Sequence, residues 1–197
     1  MPRRGAAQRT SGWLKEARHC ASPNFGPRPT GVTIDLVIVH SISLPPGEYG
    51  GDSIERFFTN RLDCDAHPYY AQLRDLAVAA HFVIRRDGEL LQFVSCDARA
   101  WHAGVSRWRG RSDCNDYSVG IELEGLEGET FETAQYTALA SLITELSRRY
   151  PIAAVAGHEH VAPGRKRDPG PGFDWVRLQG LLPTPTPDFP EAFAGAH

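Results

Sequence analysis

The stretch "AAHFVIRRDGELLQFVS", residues 79–95, decides the architecture. Two apolar, strand-like runs flank Asp87-Gly88, a pair that supplies the positive φ angles of a tight hairpin turn. Around this hairpin lie three further signals. "IDLVIVHS" (34–41) is a dense run of β-branched residues ending near a histidine and reads as a buried strand. "YSVGIELEG" (117–125) alternates, with Val119, Ile121 and Leu123 on one face and Gly120, Glu122 and Glu124 on the other. "IAAVAGH" (152–158) is a second short apolar run that ends in a histidine. Between the last two, residues 133–151 place Leu139, Leu142, Ile143 and Leu146 at helical spacing, and Pro151 closes the helix. Residues 52–62 suit a shorter helix, and 63–73 read as an irregular, aromatic-rich loop. The sum is an α/β protein, one domain with a central mixed sheet flanked by helices.

Composition sets the bounds. A chain of 197 residues, 41% hydrophobic, builds one sizeable core. The net charge of −3 and pI near 6.2 do not suit a nucleic-acid binder, and the short basic runs near 148 and 164 read as solvated faces. Cys20, Cys64, Cys96 and Cys114 are far apart, without a C-x-x-C pair, and are read as free thiols. No apolar run reaches the length of a membrane span. Residues 1–15 carry four basic and no acidic side chains, but "GAAQRTSGWLKEA" follows Arg3-Arg4 where a signal peptide needs an apolar core. A cytoplasmic protein with a flexible tail over 1–11 is therefore expected, with a proline-rich tail over 181–197. No G-x-G-x-x-G or P-loop pattern occurs, so no nucleotide site is expected.

Functional groups in an open α/β sheet collect at strand ends, and two apolar runs here deliver His40 and His158. A catalytic zinc takes three protein ligands and leaves a fourth position open. Asp168, in the Gly/Pro-shaped stretch "GHEHVAPGRKRDPG" (157–170), completes such a set; a turn-capping aspartate before Pro169 is the plainer alternative. His160 competes with His158, since residues two apart on a strand share a face, although Gly157 marks the strand's end. Glu122 is the candidate acid–base group beside the metal and Glu124 its rival; a solvated strand face explains both equally well. Lys166 suits an oxyanion or simply a basic loop. In "RAWHAG" (99–104), Trp101 is either a platform for a sugar or peptide or a core anchor.

Taken in order, "VIVHSISLPPGEYGG", "HPYY", "AAHFVIRRDGELLQFV", "RAWHAGVS", "GRSDCNDYSVGIELEG" and "GHEHVAPGRKRDPGPGFDW" resemble the zinc-dependent N-acetylmuramoyl-L-alanine amidases. Among these they most resemble the AmpD type, which acts on 1,6-anhydro-muropeptides in peptidoglycan recycling. The resemblance covers residues 12–180, the expected amidase domain. It implies one Zn²⁺ on His40, His158 and Asp168, with Glu122 rather than Glu124 as general acid/base. It also implies Lys166 as transition-state stabiliser and a small muropeptide as the partner of a cytoplasmic monomer. His158 rather than His160 becomes the ligand. Two departures stand out: Ser41 follows the first histidine where the family often has asparagine, and Ala77 stands where it tends to carry arginine. Ser41 is accordingly a substrate-contact candidate with Trp101. The competing expectations are an exported, endolysin-like wall amidase and a peptidoglycan-binding module that does not cleave. An intact His40, His158 and Asp168 set speaks against the second.

Overall fold

The computed structural model describes residues 12–190. The tail expected over 1–11 lies outside the described residues, as do residues 191–197. Six strands form the main sheet: β1 (Arg18–His19), β2 (Leu36–Ile42), β3 (Phe82–Ile84), β4 (Leu90–Gln92), β5 (Ser118–Glu124) and β6 (Ala154–Gly157). Their order is β1-β4-β3-β5-β2-β6. Only the β3–β4 hairpin is antiparallel, so the sheet is mixed, as expected. Gly88 turns that hairpin at a φ of 91°, a conformation that suits a residue without Cβ.

Strand β5 sits at the centre, and all seven of its residues are buried. The solvated-face reading of Glu122 and Glu124 is thereby overturned: chain from elsewhere covers both faces of a central strand. His40 is also not the last residue of its strand, because β2 continues to Ile42. It lies opposite Glu122 in the β2–β5 register.

Helix α1 (Ser53–Phe58) and helix α2 (Thr133–Arg149) occupy the two helical stretches read from sequence. A capping box starts α2, in which the Glu132 amide donates to the Gln135 side chain. Fully buried Gln135 then donates to the carbonyls of Ile84 and Glu124, tying the helix to β3 and β5. Tyr136, Leu139, Ile143 and Leu146 pack onto Val37, Val39, Ile121 and Leu123 of the sheet. Each such side chain withdrawn from water is worth roughly 1.5–3 kcal/mol. Another cluster, on Phe57, Phe58, Val83, Leu91 and Phe93, fills the space under α1.

The stretch 63–73 is more ordered than its composition suggests. Pro68–Leu73 form a 3-10 helix, started by Pro68 and by the His67 ring nitrogen, which accepts from the Tyr69 amide at 3.1 Å. Two short helices follow β6: α3 (His158–Val161) and α4 (Trp175–Leu181). Packing continues past residue 180, where Asp188 bridges to Ala154 at the edge of β6 and Phe189 rests on the core. All four cysteines are free. Among the described residues no helix is long and apolar enough to cross a membrane.

Candidate active site

Three elements bring the site together. β2 carries His40, the turn from β6 into α3 carries His158, and the loop after α3 carries Asp168. His40 Nδ1 and His158 Nδ1 face each other at 2.9 Å, and Asp168 Oδ2 lies 3.2 Å from the first and 3.1 Å from the second. Tetrahedral ligands at the ordinary Zn–N distance stand about 3.3 Å apart, so the three donors match one small ion to within a few tenths of an ångström. Their donor atoms lie close enough together to hold one metal ion, an arrangement that turn-capping by Asp168 alone does not explain.

Burial, and next to it the His158 ring, push the His40 pKa down to about 4, which leaves a neutral imidazole. Burial alone would raise Asp168. The adjoining His158 and His40 rings outweigh it and hold the carboxyl well below the usual range. A neutral His40 beside an ionised Asp168 is what metal ligation requires of these two groups.

Glu122 is buried, and its Oε2 has no hydrogen-bond partner among the described residues. Burial first and the Asp168 charge second raise its pKa well above the usual carboxylate value, while Lys166 opposes them. A carboxylate whose charged form is disfavoured in this way is a stronger base than a solvated one and suits proton transfer. Glu124 has another occupation. Its Oε1 accepts from Arg85 Nη1 at 2.7 Å and from the Gly50 amide at 2.7 Å, and it does not line the cleft. His160 is likewise removed from the donor set, since its Nδ1 accepts from the Gly157 amide at 2.9 Å and its ring packs edge-on against Trp175.

A cleft of about 560 Å³ opens over these groups. His40, His158, Asp168 and Glu122 form its floor; exposed Lys166, half-buried Trp101 and Ser41 also line it. Its apolar wing includes Phe57, Tyr69, Leu73 and Leu76, none of which the sequence marked as a site residue. Ala77 does not line this cleft, although Leu76 and Val78 beside it do. Sequence reasoning also passed over Arg165 and Asn115 as cleft residues and gave His102 no role.

A buried His₂Asp set beside an unpaired carboxylate, at the mouth of a mixed α/β sheet, defines the class as a candidate metal-site hydrolase. The chain belongs to the N-acetylmuramoyl-L-alanine amidase family, whose profile matches residues 30–171, and is an amidase of the AmpD type. It is 51% identical over 173 residues to the 1,6-anhydro-N-acetylmuramyl-L-alanine amidase AmpD of Citrobacter freundii, covering 87% of this chain and 92% of that one. A crystal structure of a selenomethionine AmpD derivative superposes with a TM-score of 0.85 at 52% identity, over 87% of this chain and 97% of that one. More distantly, the fold matches Escherichia coli AmiD in complex with anhydro-N-acetylmuramic acid-L-Ala-D-γ-Glu-L-Lys. There the TM-score is 0.56 at 29% identity, over 78% of this chain and 60% of that one.

Proposed function

We propose that this amidase hydrolyses the bond between the lactyl group of 1,6-anhydro-N-acetylmuramic acid and L-alanine in small muropeptides, as a cytoplasmic monomer serving peptidoglycan recycling. The observation that carries the reading is the buried Glu122 carboxylate, whose Oε2 has no hydrogen-bond partner among the described residues and which stands opposite His40 in register. The relatives named for this activity at 51% identity support the substrate assignment, as does the anhydro-muropeptide in the AmiD complex.

One zinc ion would be held by His40, His158 and Asp168, where it supplies Lewis acidity that polarises an amide carbonyl and acidifies water. The chain's own groups perform the rest. Glu122 takes the proton of the attacking water onto its carboxylate, which its buried setting makes basic. Lys166 presents its ammonium from the rim and holds charge developing on the carbonyl oxygen. Glu122 then delivers its proton to the alanyl nitrogen as the C–N bond breaks, and the free amine leaves. Trp101 offers a flat apolar face for the sugar or stem peptide, and Ser41 a short hydrogen-bonding side chain beside the metal ligand.

Incubation with a purified anhydro-muropeptide and, separately, with intact murein, followed by chromatography and mass spectrometry, tests the reading. Release of the L-alanyl peptide from the first substrate alone is expected. Cleavage of both would identify a general wall amidase instead. Cleavage of neither by zinc-loaded protein would leave a binding module.

A further inference from the structure

Both metal-facing nitrogens are Nδ1, so each ring must send its Nε2–H somewhere away from the centre. The two destinations lie on one loop. His40 Nε2 stands 2.9 Å from His102 Nδ1, and His158 Nε2 stands 3.1 Å from the carbonyl oxygen of Ala103. His102 and Ala103 are adjacent residues, yet they serve rings from strand β2 and from the first residue of α3.

The loop is held for this task from several directions. Asn115, itself buried, accepts at Oδ1 from the amides of His102 at 3.2 Å and Ala103 at 2.8 Å. Arg165 donates from Nη2 to the carbonyls of Ala103 at 2.6 Å and Val105 at 2.7 Å. His102 Nε2 lies 3.3 Å from the hydroxyl of fully buried Ser118, which can accept an Nε2–H hydrogen bond and so suits a ring whose Nδ1 is the acceptor. The ring reaches this position only because residue 120 is glycine: a Cβ there would meet His102 Cγ and Nδ1 at 2.5 Å. Gly120 shares its strand face with Glu122, so one bare position on β5 makes room for the ring beside the acid–base group.

We propose that His102 and the Ala103 carbonyl form an outer hydrogen-bond shell. This shell fixes His40 and His158 as Nε2–H tautomers and keeps both Nδ1 lone pairs turned toward the metal. His102 is thus a positioning residue acting through His40, and Asn115 sets the loop. The proposal rests on the metal-site reading above.

The test uses the full chain and zinc alone as ligand, with affinity measured by competition against a chromogenic chelator. Long-range proton–nitrogen spectra of the zinc-loaded wild type read the histidine tautomers directly, with no substitution needed. Nε2–H forms of His40 and His158 are expected, and an Nδ1-protonated form of either would overturn the proposal. His102→Phe, which keeps a ring over Gly120 but removes the acceptor, should lower zinc affinity about 10- to 100-fold. His102→Gln, whose side-chain oxygen accepts from His40, should recover most of that loss and restore the visible spectrum of the cobalt-substituted protein. Wild-type affinity in a folded His102→Phe protein would overturn the proposal while leaving the metal site standing. Failure of the wild type to take up zinc would overturn the metal-site reading and the proposal with it.

Discussion

Replacing Glu122 with glutamine should make the protein more stable and nearly inactive at once. The carboxylate is buried, its Oε2 has no partner among the described residues, and its pKa lies well above the ordinary value. A buried oxygen without a hydrogen bond costs about 1–3 kcal/mol. Glutamine keeps the shape and removes the charge but leaves an amide to satisfy, so about 1–2 kcal/mol should return to the metal-free protein. For a chain of this length that is a rise in Tm of about 2–8 °C. The sign follows from linkage. An acid whose folded pKa is raised weakens the fold above its ordinary value of 4.5, and the penalty disappears below it. The advantage of E122Q should therefore be present at neutral pH and fade under acid. Loss of a positioned acid–base group should lower kcat about 10²- to 10⁴-fold. Calorimetry in the presence of a chelator reads the first effect; peptide release by zinc-loaded protein, with metal content checked, reads the second. A lower Tm together with kcat within tenfold of wild type would refute the assignment and return Glu122 to the framework.

Three further outcomes follow from the same geometry. Glu124→Ala breaks a buried pair with Arg85 and should cost about 3 kcal/mol in denaturant unfolding, while the folded fraction keeps its activity; selective loss of kcat without destabilisation would contradict this. Burial, and then the Arg28 charge, depress the His81 imidazole to about 3 from its ordinary 6.5. The fold should thus lose up to about 4 kcal/mol as pH falls from 6.5 through 3, the window in which only the unfolded chain takes the proton. His81→Asn should flatten that slope, and an unchanged slope would count against it. Gly120→Ala should destabilise by about 1–3 kcal/mol and weaken zinc binding, because its Cβ would overlap the His102 ring; neutral behaviour in both measurements would show that the ring moves freely.

Much of this was legible because strands buried on both faces are largely apolar. The runs 34–41 and 152–158 announced themselves in that way, and Asp87-Gly88 announced the hairpin. The choice between Glu122 and Glu124 was not legible from alternation, since residues two apart share a face by construction. Arg85, just past the end of β3, occupies Glu124 and leaves Glu122 as the candidate. His160 was ambiguous for the same reason until Trp175 and the Gly157 amide took it away from the donor set. The role of His102 was hidden further still, because it depends on an absent Cβ at Gly120 and on Asn115, neither of which carries a local signal. The 3-10 helix at 68–73 was missed because it is short and its start rests on a proline and a histidine ring cap rather than on any apolar periodicity.

The most direct measurement is hydrolysis of an anhydro-muropeptide in water enriched in heavy oxygen, with both products weighed by mass spectrometry. The account predicts one labelled oxygen in the lactyl carboxylate of the anhydro-muramic product and an unlabelled peptide bearing a free L-alanyl amine. Label on a peptide carboxylate, or a muramic product that still carries alanine, would contradict it.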